Sequence, residues 1–220
     1  MKKLLFLFLL PLLALRANGQ EWTTVNIDSA VSIKLPKGYE KKDTTGQYSL
    51  VAHSPFGTIL FFRTPDNPRV IPDIERDRHL EQFYSDYIDR VRAAAPNGSI
   101  INEKDTVLKN LKVKDFTLKT DTGRGVQYRN FRILHVNAAS YTFEFLYPEI
   151  QAEYSKPEGE FFFNSIMVNE ELERHDQYTT GEPAGIDPLW IITGVVILLI
   201  IVILAVWFSR KRPPGRTTGK

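Results

Sequence analysis

The 220 residues contain no cysteine. Disulfides, thiolate chemistry, a cysteine-ligated zinc site and a cysteine-linked lipid anchor are therefore all excluded. Histidine is scarce as well: His53, His79, His135 and His175 are the four. No two of them stand four apart, and no His-Glu-x-x-His spacing occurs, so a metal site has no local support. A nucleophile elbow of the Gly-x-Ser-x-Gly kind is missing too. Gly123-Arg124-Gly125 reads as a hairpin turn before a strand, because the helix that would complete a phosphate cradle does not follow it. Basic clustering of the kind that nucleic-acid binding requires is also lacking. All 26 acidic residues lie between Glu21 and Asp187 against 20 Lys and Arg there, a net charge of −6 that the overall +2 conceals.

Long apolar runs occur only at the two ends. Residues 189–208, LWIITGVVILLIIVILAVWF, carry no charge. At about 1.5 Å per residue such a helix spans roughly 30 Å, the thickness of a bilayer's hydrocarbon core. Trp190 and Trp207 sit near its ends, and Arg210, Lys211 and Arg212 follow at once. The positive-inside bias then puts the tail, 209–220, in the cytoplasm and everything before the span outside it. At the other end Lys2 and Lys3 precede an apolar run over 4–15, and Ala17-Asn18-Gly19 supplies small residues at a signal-peptidase site. Residues 1–19 are expected to be a leader cleaved before Gln20, the alternative being an uncleaved second anchor. The expected address is thus the cell membrane, single-pass, with an extracytoplasmic domain over 20–168 and an acidic linker over 169–188.

Within that domain, strands are expected at 22–27 and 30–35, where Val31, Ile33 and Leu35 alternate with polar residues. Two more, at 47–53 and 58–63, are joined by the turn Ser54-Pro55-Phe56-Gly57. From 74 to 95, Leu80, Phe83, Tyr87, Ile88 and Val91 recur at helical spacing, which predicts an amphipathic helix capped by Asp73. Four strands follow at 99–108, 111–120, 125–136 and 140–147, with connections short enough for an antiparallel meander. In the second of them the apolar phase slips between Val113 and Phe116, which predicts a bulge near Lys114 and Asp115. A second helix is expected over 150–163 with Tyr154, Phe161 and Phe162 turned inward, then a short strand at 164–168. The fold class is α+β, an antiparallel sheet meander covered by helices.

Three stretches of this layout resemble the PsbP-like superfamily, which includes DcrB-type bacterial envelope proteins. They are Leu35-Pro36-Lys37-Gly38-Tyr39, the strand from Ser140 ending in Tyr147-Pro148, and Phe162-Phe163-Asn164-Ser165-Ile166. The resemblance covers about 22–168, and the membrane helix lies outside the family's common pattern. It implies an accessory, adaptor or binding role and brings no shared catalytic residues, cofactor or metal. The expected function is therefore a non-catalytic, membrane-tethered interaction module of the cell envelope with a protein partner. A ligand-sensing or solute-binding domain with a groove between sheet and helix is the alternative. A hydrolytic enzyme comes third and would need a cleft holding groups such as Asp115 or His135.

Overall fold

The computed structural model describes residues 20–44, 47–67, 73–95 and 97–179. The expected leader (1–19), membrane span (189–208) and tail (209–220) lie outside the described residues. Among the described residues no helix is long and apolar enough to cross a membrane.

Two antiparallel sheets form the frame. The larger has seven strands: β3 (Glu40–Thr44), β4 (Gln47–Ser54), β5 (Gly57–Pro65), β6 (Gly98–Leu108), β7 (Leu111–Asp121), β8 (Val126–Val136) and β9 (Ala139–Pro148). Their order is β3-β4-β5-β9-β8-β7-β6. The smaller sheet joins β1 (Trp22–Asn26), β2 (Val31–Pro36) and β10 (Met167–Val168), with β2 in the middle. After β5 the chain passes through α1 (Asp77–Ala93) to the far edge of the large sheet, and β6 to β9 return as a meander until β9 pairs with β5. A turn of 3-10 helix (Glu149–Gln151) then leads into α2 (Ala152–Asn164).

Both faces of the large sheet are covered, and each has its own core. On one face the small sheet and Phe162 of α2 pack with Leu50, Ile59, Phe61, Val113, Leu134, Phe143 and Phe145. On the other, Leu80, Phe83, Tyr84 and Ile88 of α1 pack against Phe116, Leu118, Phe131 and Ile133. This arrangement corrects the expected bulge. Strand β7 pairs with β8 in unbroken register from Val113↔Leu134 to Asp121↔Val126. Leu111 and Val113 fill the first core, whereas Phe116 and Leu118 fill the second. Successive strand residues point to opposite faces, so the phase slip is a change of core along one regular strand. The irregularity lies in the neighbour β6, between Ile101 and Lys104, where Asn102 takes a positive φ of 55°.

The start of the first helix also differs from expectation. Its N-cap is Arg76, with extended backbone and no side-chain cap, in place of Asp73. The Ile74 N–H donates to Thr179 Oγ1 at 2.8 Å and the Ile74 side chain is buried, which holds the residues before Asp77 out of the helix. Strand β3 went unanticipated because its sequence, EKKDT, is wholly exposed. Backbone pairing with β4 alone defines it, and its charges protect a sheet edge. Residues 169–179, expected as the start of the linker, fold onto the domain instead, and the compact unit ends at Thr179. Gln177 is fully buried there and bridges two strands, bonding Lys112 N and O and the His135 carbonyl.

Candidate functional site

The polar groups singled out from the sequence are each held by the fold. Asp115 receives two parallel hydrogen bonds from Arg132, Nε to Oδ1 and Nη2 to Oδ2, both 2.8 Å. That fork-to-fork pair, with Arg132 Nη1 also bonded to the Phe163 carbonyl, lies along a groove of about 810 Å³ between α2 and the β7–β8 ladder. His135 is sealed from solvent. Its Nδ1 lies 3.0 Å from the Gln177 carbonyl and its Nε2 2.8 Å from Asp66 Oδ2. A carbonyl can only accept, so Nδ1–H donates to it. The pair ties the end of β5 to the C-terminal turn. His53 is exposed on β4, His79 lies in the first turn of α1, and His175 sits beside Glu173 and Asp176. Among the described residues no group of three or more His, Asp or Glu can hold a metal ion.

Two features lie outside this closed set. The first is a cleft of about 440 Å³ between the C-terminal half of α1 and the sheet. Glu144 of β9 lies in it at 5% exposure, opposite Leu60 of β5 and Phe131 of β8. Arg129 Nε stands 3.5 Å from Oε2, too far to form a hydrogen bond, and Oε2 has no hydrogen-bond partner among the described residues. Burial pushes the Glu144 carboxyl up to about 7, and Arg129 pulls weakly in the opposite direction. Tyr87 of α1 overhangs the cleft, its hydroxyl engaged with Thr142 Oγ1 at 3.0 Å.

The second feature is the outer face of α2, and it corrects an expectation. Of Tyr154, Phe161 and Phe162, only Phe162 is buried; Tyr154 is 65% and Phe161 44% exposed. The buried stripe is Ser155, Gly159 and Phe162, at spacings of four and three. Polar ties fix this rotation of the helix. Ser155 Oγ donates to the Phe56 carbonyl at 2.6 Å, and Glu158 Oε2 accepts from Ser54 Oγ at 2.6 Å and from Phe56 N at 3.3 Å. Gly159 then lies against the Phe145 ring, where a Cβ would come within 3.0 Å. The aromatic residues turn outward as a result. Tyr154 stacks on Phe56 with ring centroids 5.3 Å apart, Phe161 meets Trp22 edge-on at 4.9 Å, and Ile150 beside them is 91% exposed.

The seven-stranded antiparallel sheet thus lies between one helix and a layer of small sheet plus helix, an α+β fold shared with PsbP. Among solved structures, the chain is similar to cyanobacterial PsbP (CyanoP) from Synechocystis sp. PCC 6803. The match has a TM-score of 0.53 at 10% identity and covers 70% of this chain and 96% of that one. It is also similar to LpqN of Mycobacterium tuberculosis, involved in cell envelope biogenesis (TM-score 0.43, 9% identity, 71% and 95% covered). The Saccharomyces cerevisiae Ran-binding protein Mog1p matches with a TM-score of 0.41 at 7% identity over 68% and 96%. No family model matches the chain, and no curated protein sequence does. At these identities the likeness to CyanoP establishes the fold alone.

Proposed function

We propose that this chain is a non-catalytic interaction module of the DcrB type, an accessory or adaptor subunit held on the outer side of a bacterial cell membrane. The observation that carries the reading is the exposed apolar face of α2. Ile150 in the turn before α2, Tyr154 and Phe161 on it, and Phe56 stacked on Tyr154 are exposed apolar side chains that the domain's own core does not use. Aromatic side chains on a surface supply large contact area at small entropic cost and are enriched where proteins meet. Exposed Glu149, Glu153 and Glu160 border the face, against Lys156 and against Lys34, whose Nζ lies 5.9 Å from the Phe161 ring centroid. Carboxylates repel an anionic lipid surface, so the face suits a protein partner whose apolar ridge is flanked by Lys or Arg. The apolar run over 189–208 and the leader over 1–19 support the membrane address, and the fold shared with CyanoP is compatible with an accessory role.

The test is crosslinking in intact cells, then affinity purification of the full-length chain beside Ile150→Asp/Tyr154→Asp and a chimera carrying the domain on an unrelated membrane helix. A protein captured by the wild type and the chimera, and lost from the double variant, is the expected result. Capture that survives the double variant removes α2 from the interface. Capture lost only from the chimera would move the contact to the membrane helix. In either case the proposed face is wrong.

A further inference from the structure

The cleft under α1 contains a carboxyl that the fold leaves unused. Glu144 sits deep in the large sheet's second face, and its Oε2 lacks a hydrogen bond among the described residues. An unpaired buried acceptor is costly. The carboxylate is an acceptor, so whatever it binds must bring a donor. A cationic donor is favoured over a neutral one for two reasons. Charge-assisted hydrogen bonds are about twice as strong as neutral ones. Ala94 and Ala95 line the cleft at the C-terminal end of α1, the negative end of the helix dipole. The walls are apolar: Val91 of α1, Leu118 of β7 and Leu146 of β9.

We infer that this cleft binds a small hydrophobic primary amine. Its ammonium donates to the Glu144 carboxylate, and its aryl or alkyl body lies between Val91, Leu118 and Leu146. The volume of about 440 Å³ lies in the range of small-ligand pockets. The charged and titratable groups facing Glu144 are Arg129 of β8, Tyr87 and Arg90 of α1, and Asp121 at the mouth on β7; the β5 neighbour, Leu60, is apolar. Arg129 stands by the enclosed Oε2, and its guanidinium rests over the Phe131 ring at 5.9 Å, so the amine is received by the carboxylate's other oxygen. The ammonium requires an ionised carboxylate. With Glu144 titrating near 7, affinity should rise roughly 30-fold between pH 5.5 and pH 8.

The experiment titrates full-length protein in detergent micelles with 2-phenylethylamine, 2-phenylethanol and 3-phenylpropanoate. It follows the methyl resonances of Val91, Leu118 and Leu146 together with binding heats. The amine should bind, the alcohol should bind at least tenfold more weakly, and the carboxylate should leave the resonances in place. Glu144→Gln, which keeps the side chain's shape, should cost the amine at least tenfold and abolish the pH dependence. Val91→Phe, which fills the cleft without touching the carboxyl, should abolish binding. The inference is overturned if the carboxylate binds as well as the amine, if Glu144→Gln leaves amine affinity unchanged, or if millimolar amine moves none of the three residues. Binding of the amine does not depend on the outer face of α2, so Ile150→Asp/Tyr154→Asp should retain it.

Discussion

Replacing Glu144 by Gln should stabilise the protein at alkaline pH and do little at acid pH. In the fold, burial holds this carboxyl at about 7, against an ordinary value of 4.5. Because the folded value is the higher one, the folded state binds the proton more tightly than the unfolded state. Below pH 4.5 both states are protonated and no penalty exists. Between pH 4.5 and 7 the unfolded chain ionises first, and stability falls as pH rises. Above 7 both are ionised and the penalty is complete, about 3 kcal/mol at 1.36 kcal/mol per pH unit. Gln removes the ionisation but leaves a buried amide in the same space, at a cost of about 1 kcal/mol. The variant should therefore gain about 1–2 kcal/mol at pH 8.5, and at pH 5 the two proteins should agree within about 1 kcal/mol. Urea denaturation of the full chain in micelles, followed by far-ultraviolet circular dichroism at both pH values, measures the difference. A variant less stable than wild type at pH 8.5, or a difference that is the same at pH 5 and pH 8.5, would refute a desolvated carboxyl at this position.

Gly57→Ala tests the packing of the β4–β5 turn. A Cβ there would lie 2.5 Å from Phe145 Cζ and 3.0 Å from the Leu146 carbonyl, and the Phe145 ring, buried beneath Gly159, has nowhere to go. The expected loss is about 1–3 kcal/mol, read as a lower denaturation midpoint at unchanged m-value. Asp77→Asn tests the junction of α1 with the C-terminal turn. Hydrogen bonds from Tyr178, Lys112 and Arg174 hold the Asp77 carboxyl well below the ordinary aspartate range. A depressed carboxyl stabilises the fold above its ordinary value near 3.8, and that contribution is lost as pH falls through the folded value. Asn should accordingly destabilise at pH 7, and the gap between variant and wild type should close in acid; a gap independent of pH would show that the charge plays no part.

The strands were legible because their burial is periodic. Val31, Ile33 and Leu35 alternate with polar residues, and the meander's turns carry short polar breaks. Strand β3 was illegible for the opposite reason: an edge strand with every side chain exposed has no apolar signal, only backbone pairing with β4. The phase slip in β7 was visible, but a single strand cannot say whether two parities mean a bulge or two cores. The covering α1 and small sheet decide that. In α2, hydrophobicity pointed the wrong way. Tyr154 and Phe161 looked like core, yet the helix is oriented by Ser155 and Glu158, which reach Ser54 and Phe56 about a hundred positions away in sequence. Glu144 gave no sign at all, because one Glu among the aromatic residues of a strand reads as its solvent-facing parity. Only the helix over that face turns it into a buried carboxyl.

The two candidate sites are built on consecutive residues of β9 and stay physically separate. Phe145 points into the first core, where its ring supports Gly57 and Gly159 beneath the aromatic face of α2. Glu144 points the other way, into the cleft under α1. Successive side chains of a strand project from opposite faces of the sheet, so a probe on one face makes no contact with the other. Substitutions at Ile150 and Tyr154 therefore report on the α2 surface alone, and substitutions at Glu144 and Val91 on the cleft alone. Gly57 and Phe145 are unsuited to either test, because changing them shifts the hairpin that sets the rotation of α2. A central strand with one side chain committed to packing and the next left unsatisfied departs from the economy of the rest of the sheet, where Asp115, Arg132 and His135 are all paired. Asp66 Oδ1, just past β5, is likewise buried without a hydrogen bond, so what sets Glu144 apart is the cleft that it lines.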